Sequence, residues 1–187
     1  MADWEIFLSE LQACTKCGLH EKRINVVAGR GSRTAKIMFV GEGPGEQEDI
    51  QGIPFVGAAG KLLENLLNAF MFDEESYYIA NIVKCRPPGN RVPSDDEAEK
   101  CLPWLRTQFA LIRPAILVCL GATALKHILG KEQKITQVRG AWQEKKGLLV
   151  MPTYHPAAIL RDASKKVPLW EDIKAVKAKF DELNVQP

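Results

Sequence analysis

Four short apolar runs constrain this chain more than anything else in it. "KIMFV" begins at Lys36, "YYIANIV" at Tyr77, "AILVCL" at Ala115 and "LLVM" at Leu148. A strand with one wet face alternates apolar and polar residues, whereas a strand covered on both faces is apolar almost throughout. Between these runs the spacing changes to that of helices. "WEIFLSELQAC" puts Ile6, Phe7 and Leu11 on one face, and "AAGKLLENLLNAF" does the same for Leu62, Leu63, Leu66, Leu67 and Phe70. Ser94 and Glu97, just after Pro93, form a capping-box pattern that starts a helix through Trp104, Leu105 and Phe109. A short helix is expected over Ala122–Leu129, and "PLWEDIKAVKAKFDEL" closes the chain as another. Strands that alternate with helices imply an α/β fold, with helices on both faces of a central, mostly parallel four-stranded sheet.

The 187 residues suit one domain covering 1–187, with enough chain to bury a core. No apolar run is long enough to span a bilayer. The opening "MADWEIFLSELQACTKC" carries acids where a signal peptide carries basic residues, so the expected location is the cytoplasm, away from membranes. A net charge of +2 is too small to argue nucleic-acid binding unaided.

In open α/β sheets ligands bind beyond the carboxyl ends of the strands. The first run ends in Gly41-Glu42-Gly43, the second near Asn81 and the fourth at His155, so an acid, an amide and an imidazole share one rim. The loop "GEGPGEQED" looks at first like a phosphate cradle. It fails that pattern, because Glu46 fills the last glycine position of G-x-G-x-x-G, and farther along the P-loop-like "GKL" at Gly60-Lys61-Leu62 lacks the hydroxyl of a P-loop. Glu42, Glu46, Glu48 and Asp49 would also repel phosphate. Read alone, the loop is a tight turn with a solvated acidic face, and Phe55 reads as well for a core side chain as for a stacking surface.

Cys14 and Cys17 form C-x2-C, and Cys85 and Cys101 form a second, wider pair. Two pairs of thiolates suit tetrahedral zinc or a 4Fe–4S cluster, and the spacing does not choose between them. Cys119 lies inside an apolar run and reads as a buried cysteine.

Together, Cys14 and Cys17, "GEGPGEQED", "PFVGAAGKLL", "NIVKCRPPGNRVP", Cys101 and "PTYHPAAILR" resemble the family four uracil-DNA glycosylases, the iron–sulfur branch of the uracil-DNA glycosylase superfamily, over nearly the whole chain. The resemblance implies a three-layer α/β/α sandwich and a DNA-repair hydrolase. Such an enzyme flips uracil out of single- or double-stranded DNA and cuts its N-glycosidic bond. It implies a 4Fe–4S cluster on Cys14, Cys17, Cys85 and Cys101, in a protein that acts as a monomer. Gly41, Glu42 and Gly43 would press backbone against base and sugar, and Phe55 would stack. Asn81 would read N3–H and O4, rejecting cytosine, whose donor–acceptor pattern is opposite. His155 would donate to O2 of the leaving uracil anion. Another branch of the superfamily carries Asp where this loop has Gly43, so the water-orienting acid is expected to be Glu48 first and Glu42 second. Asp49 would support the loop. Lys84, Arg86 and Arg91, between two cysteines, would meet DNA phosphates together with Arg161, while Ile159 or Leu160 would wedge into the base stack.

Two other readings compete. A branch that traps uracil-DNA covalently uses a histidine in an inserted basic loop, and "TQVRGAW" at 136–142 has none. A non-catalytic, metal-stapled nucleic-acid or uracil-DNA binding module would account for the cysteines and the basic loop, but not for Glu42, Asn81 and His155 on one rim.

Overall fold

The alternation of apolar runs and amphipathic stretches folds as a sheet covered on both faces. The structure, a computed structural model, describes residues 4–185; the ends of the expected 1–187 domain, including the first three residues of the opening acidic stretch, lie outside the described residues. In chain order the elements are α1 Trp4–Gln12, β1 Arg30–Gly31, β2 Ile37–Gly41, α2 Glu46–Gln51, α3 Ala58–Ala69, β3 Tyr77–Asn81 and α4 Asp95–Ile112. There follow β4 Ile116–Leu120, α5 Ala122–Leu129, α6 Ile135–Val138, β5 Gln143–Lys145, β6 Leu148–Thr153, α7 Ala157–Arg161 and α8 Lys166–Val185. No helix is long and apolar enough to cross a membrane among the described residues.

Every residue of β2, β3 and β4 is buried. Because side chains alternate along a strand, successive residues enter different cores. Met38, Val40, Ala80, Leu117 and Cys119 pack with Phe7 and Leu11 of α1 and with Trp104 and Leu105 of α4. Ile37, Phe39, Ile79, Ile116 and Val118 pack on the opposite face with Leu63 and Leu67 of α3 and with Leu169, Ile173 and Val176 of α8. Each such side chain contributes about 1.5–3 kcal/mol when fully buried, which is why both faces must be covered. The result is the three-layer α/β/α sandwich.

The sheet has six strands in the order β1-β3-β2-β4-β6-β5. The inner four are parallel, as expected. The expected count of four is corrected by two antiparallel edge strands, β1 and β5. Both are two or three residues long and largely polar, because an edge strand needs little more than its backbone to pair. On α1, Phe7 and Leu11 are buried but Ile6 is 58% exposed, so the apolar face is narrower than its spacing suggested.

Strand order also places the site. From β2 the chain moves to β3 on one side, then crosses to β4 and β6 on the other. The loops leaving β2 and β4 therefore diverge, and a crevice opens between them at the carboxyl ends. The end of β6 is pinned to α8: Thr153 donates to Asp172 Oδ2 at 2.6 Å, and Arg139 grips the same buried carboxylate through Nε at 2.9 Å and through Nη2. Burial pushes the Asp172 carboxyl up, while Arg139 and Thr153 draw it down.

Candidate functional site

Gly43, Gly45, Glu48, Phe55, Asn81, Asn90 and His155 line one cavity of about 160 Å³ at the crevice. The first loop is held beside β3 by continued parallel pairing. Ile82 N–H donates to Gly41 O at 2.9 Å and Val83 N–H to Glu42 O at 3.2 Å. Gly41 has no room for a side chain, since a Cβ there would stand 2.5 Å from Asn81 Oδ1 and 2.7 Å from Phe55 Cζ. At Gly43 a Cβ would meet Val83 Cγ2 at 2.6 Å, so the Asp found there in another branch would collide with this chain's own Val83.

Phe55 is buried with φ +56, a left-handed backbone that a bulky residue rarely adopts. The first turn of α3 secures it. A Cβ on Gly60 would lie 1.9 Å from Phe55 O, so only glycine lets the helix sit there. The "GKL" that mimicked a phosphate loop is thus a packing contact. Gly60→Ala should cost about 1–3 kcal/mol by overpacking, lowering Tm by roughly 2–10 °C, and should shift Phe55. Thermal unfolding checks this, and an unchanged Tm would refute it.

Asn81 ends β3, buried, and its Oδ1 has no hydrogen-bond partner. A buried carbonyl oxygen left unpaired costs about 1–3 kcal/mol, and here it borders an open cavity. The His155 ring stacks against Phe55, with centroids 5.5 Å apart and planes 29° apart. Gly121, at φ +91, allows this approach, because a Cβ there would be 2.9 Å from His155 Cβ. His155 Nδ1 accepts the Ala157 N–H at 3.1 Å, so it carries no proton and the neutral ring holds its hydrogen on Nε2. Burial, helped by the Arg161 charge, pushes the His155 pKa down to about 4. The ring is therefore neutral at physiological pH, with one N–H to donate.

The two acids differ in their surroundings. Glu48 Oε1 accepts the N–H groups of Val56 at 3.0 Å and Gly57 at 2.8 Å, and Oε2 accepts Gly45 N–H at 3.1 Å. It thereby caps the start of both α2 and α3, and both of its oxygens are engaged. Glu42 opens into a wider adjoining cleft of about 410 Å³, shared with Thr123, His155, Arg161 and Lys165. Only its Oε2 is taken, by the Thr123 hydroxyl. Asp49 is buried and accepts the backbone N–H of Ile24 at 2.9 Å, a support for the loop as expected.

The basic residues divide. Arg161 is exposed in the cleft. Arg86 is half-buried and donates to Asn90 Oδ1 at 2.7 Å, and exposed Arg91 binds Glu97 through both guanidinium nitrogens, at 2.7 and 2.8 Å. Lys84 corrects the sequence reading. It is 1% exposed, with Nζ donating to Asn81 O at 2.9 Å and Gln108 Oε1 at 2.6 Å, and cannot reach a phosphate. Burial pushes its pKa down to about 8, although Cys101 and Cys85 pull it up.

Cys14, Cys17, Cys85 and Cys101 line a single pocket with Arg23 and Trp104. No group of three or more His, Cys, Asp or Glu is placed to hold a metal ion among the described residues. Three of the four sulfurs do accept hydrogen bonds, each at 3.3 Å: Cys14 from Trp104 Nε1, Cys85 from Arg23 Nη1 and Cys101 from Lys84 N–H. Burial pushes the Cys101 thiol up to about 11 and raises that of Cys85. Cys119 is the buried apolar cysteine expected of it. Thr123, Arg23, Trp104 and Gly60 were missed in the sequence, where each looks like an ordinary helix or loop residue.

A family model described as the Uracil DNA glycosylase superfamily matches residues 28–176. A curated protein of Thermotoga maritima, named Type-4 uracil-DNA glycosylase, is 46% identical over 93% of this chain and 93% of its own length. Proteins of the same name from Sulfurisphaera tokodaii and Saccharolobus solfataricus are 44% and 42% identical over 95% of this chain, and over 84% and 86% of theirs.

Proposed function

Because the chain belongs to the type-4 uracil-DNA glycosylases of the uracil DNA glycosylase superfamily, we propose that it excises uracil from DNA by the residues gathered at this crevice. It is a DNA-repair glycosylase, a hydrolase of the N-glycosidic bond. The observation that carries the site assignment is the unpartnered, buried Oδ1 of Asn81, at the wall of a cavity bounded by Phe55 and His155.

In this reading the smaller cavity takes the flipped base and the wider cleft takes the sugar and its phosphates. Asn81 Oδ1 accepts uracil N3–H and its amide donates to O4. Phe55 supplies an apolar ring face, while Gly41 and Gly43 bring backbone close because side chains there would collide. As the glycosidic bond breaks, negative charge grows on uracil O2 and His155 Nε2–H donates to it. Glu42, with one oxygen held by Thr123 and the other unpaired among the described residues, orients the attacking water. Glu48, fully engaged with backbone, holds the loop in shape, which reverses the order of the two acids expected from sequence. Arg86, Arg91 and Arg161 meet phosphates, with Lys165 in the place first given to Lys84. We read the whole chain as one such domain, acting as a monomer inside the cell on single- or double-stranded DNA.

We assign Cys14, Cys17, Cys85 and Cys101 to a 4Fe–4S cluster. The support is chemical: N–H donors on three sulfurs suit thiolates that carry charge, and thiols pushed up by burial ionise readily only with a metal to bind. When bound, the cluster supplies metal–thiolate bonds that join the segment after α1 to the loop before α4 and to α4 itself. Protein purified without oxygen should contain iron and sulfide, and Cys101→Ser should lose both along with its colour. Stoichiometric zinc and no iron in the wild type would refute the assignment.

The function is tested by mixing the folded, iron-loaded protein with a strand holding one uracil, beside a matched cytosine strand. Release of free uracil and formation of an abasic site are expected. Tight binding of the uracil strand without release would favour the non-catalytic module.

A further inference from the structure

Among the described residues, Lys84 is the only one of the largest fully buried side chains that carries a formal charge. Burying an ammonium is costly unless it is paired and hydrogen-bonded, and a methionine would fill the same space without that cost. Its surroundings show what the charge is for. The side chain turns back to Asn81, three residues earlier, and donates to its carbonyl at 2.9 Å. Its second bond, at 2.6 Å, goes to Gln108 Oε1. Gln108 is itself fixed, donating to Ala28 O at 2.8 Å and Tyr78 Oη at 3.2 Å. Asn81 is therefore tied through Lys84 to α4 and, by way of Gln108, to the segment at Ala28 and back to Tyr78 of its own strand.

The backbone of the same residue faces the other way. Lys84 N–H donates to Cys101 Sγ at 3.3 Å, and its carbonyl accepts Val27 N–H at 2.8 Å. Cys85 is the next residue. One buried residue thus touches the main chain of the residue assigned to read the base and one of the sulfurs assigned to the cluster.

We propose that Lys84 is a positioning residue that links the cysteine centre to base reading: its ammonium anchors the Asn81 main chain while its own backbone N–H holds the Cys101 sulfur. This rests on the assignments of Asn81 and the four cysteines made above. Its consequence is that damage at the cysteines reaches uracil recognition through β3, without any change at the DNA-facing surface.

The test compares iron-loaded wild type with Lys84→Met, which keeps the stem and removes the ammonium. The single-turnover excision rate at saturating enzyme should fall by about 10- to 100-fold, the worth of a hydrogen bond from a charged donor. The preference for uracil over cytosine should narrow. Affinity for DNA and its salt dependence should not move, because Lys84 reaches no phosphate. If rate per folded molecule and preference for uracil both match wild type while only Tm falls, Lys84 is a plain structural residue and the proposal is overturned. A weaker Kd with a salt slope reduced by about one unit would make it a phosphate contact after all and overturn it equally. If Lys84→Met fails to fold, Lys84→Gln keeps an N–H donor without the charge. It should lose rate and preference by less than about 10-fold with Kd unchanged, since one donor to Asn81 is kept, and wild-type rate and preference with only a lowered Tm would overturn the proposal. Wild-type protein that lacks iron and sulfide, or releases no uracil, would overturn the underlying assignments before any variant is compared, and this proposal with them.

Discussion

His155→Ala should lower the single-turnover rate of uracil excision by about 10²–10³-fold, roughly 3–4 kcal/mol, and leave DNA affinity nearly unchanged. A donor aimed at an atom that gains charge only as the bond breaks acts on the transition state, not on binding. The Ala157 N–H already occupies Nδ1, so the one proton of the neutral ring is on Nε2. Its pKa, down at about 4 through burial and Arg161, keeps that proton arrangement well below neutrality. The deficit of the alanine variant should therefore be the same at pH 8 as at pH 6, with no inflection near the ordinary histidine value of about 6.5. Stability has its own pH dependence. Between the unfolded value and about 4, the unfolded chain binds a proton that the folded ring refuses. The contribution of neutral His155 is thus complete above about 6.5 and is lost as pH falls toward 4. A variant that melts early yet excises uracil at the wild-type rate in the cold would make His155 structural.

The second large effect belongs to Asn81. A site built to hydrogen-bond one polar edge rejects an analogue lacking that pattern by about 10⁴–10⁵. Asn81→Asp removes the donor for uracil O4 and, when protonated, offers an O–H toward cytosine N3 and an acceptor toward its amine. The ratio of uracil to cytosine excision should fall by at least about 10², mainly through slower uracil release and most visibly at low pH. Rates on paired uracil and cytosine strands decide it. If the variant keeps both wild-type rates, the unpartnered oxygen of Asn81 has no part in reading the base.

Much of this was legible because it depends on burial that leaves a mark in composition. The inner strands had to be apolar on both faces, and the capping box of Ser94 and Glu97 forms as its spacing says, with Glu97 N–H on Ser94 Oγ at 3.2 Å. The edge strands left no mark, because Arg30–Gly31 and Gln143–Lys145 pair through backbone alone. Asn81 and His155 could be located because strand ends are predictable from strands, whereas Phe55, between α2 and α3, was marked only by the resemblance. Lys84 could not, since a charge beside Arg86 in a proline-rich loop reads as surface until its two buried acceptors are seen. Glu48 and Glu42 are alike in sequence. What separates them is three backbone N–H groups converging on one carboxylate and a threonine hydroxyl on the other.

The sulfur pocket joins distant parts of the chain: the indole of Trp104 reaches Cys14, 90 positions earlier, and Arg23 reaches Cys85 across 62. A ribosome adding about 5–20 residues per second needs roughly 5–20 s to cover the longer span. For that time the nascent N-terminal thiols have neither their hydrogen-bond donors nor the other cysteine pair. They are exposed to oxidation and to stray metal ions, and α1 has no finished surface on which to dock. Yield in a growing cell therefore depends on how well the first cysteines are protected during synthesis, a vulnerability absent from the finished molecule.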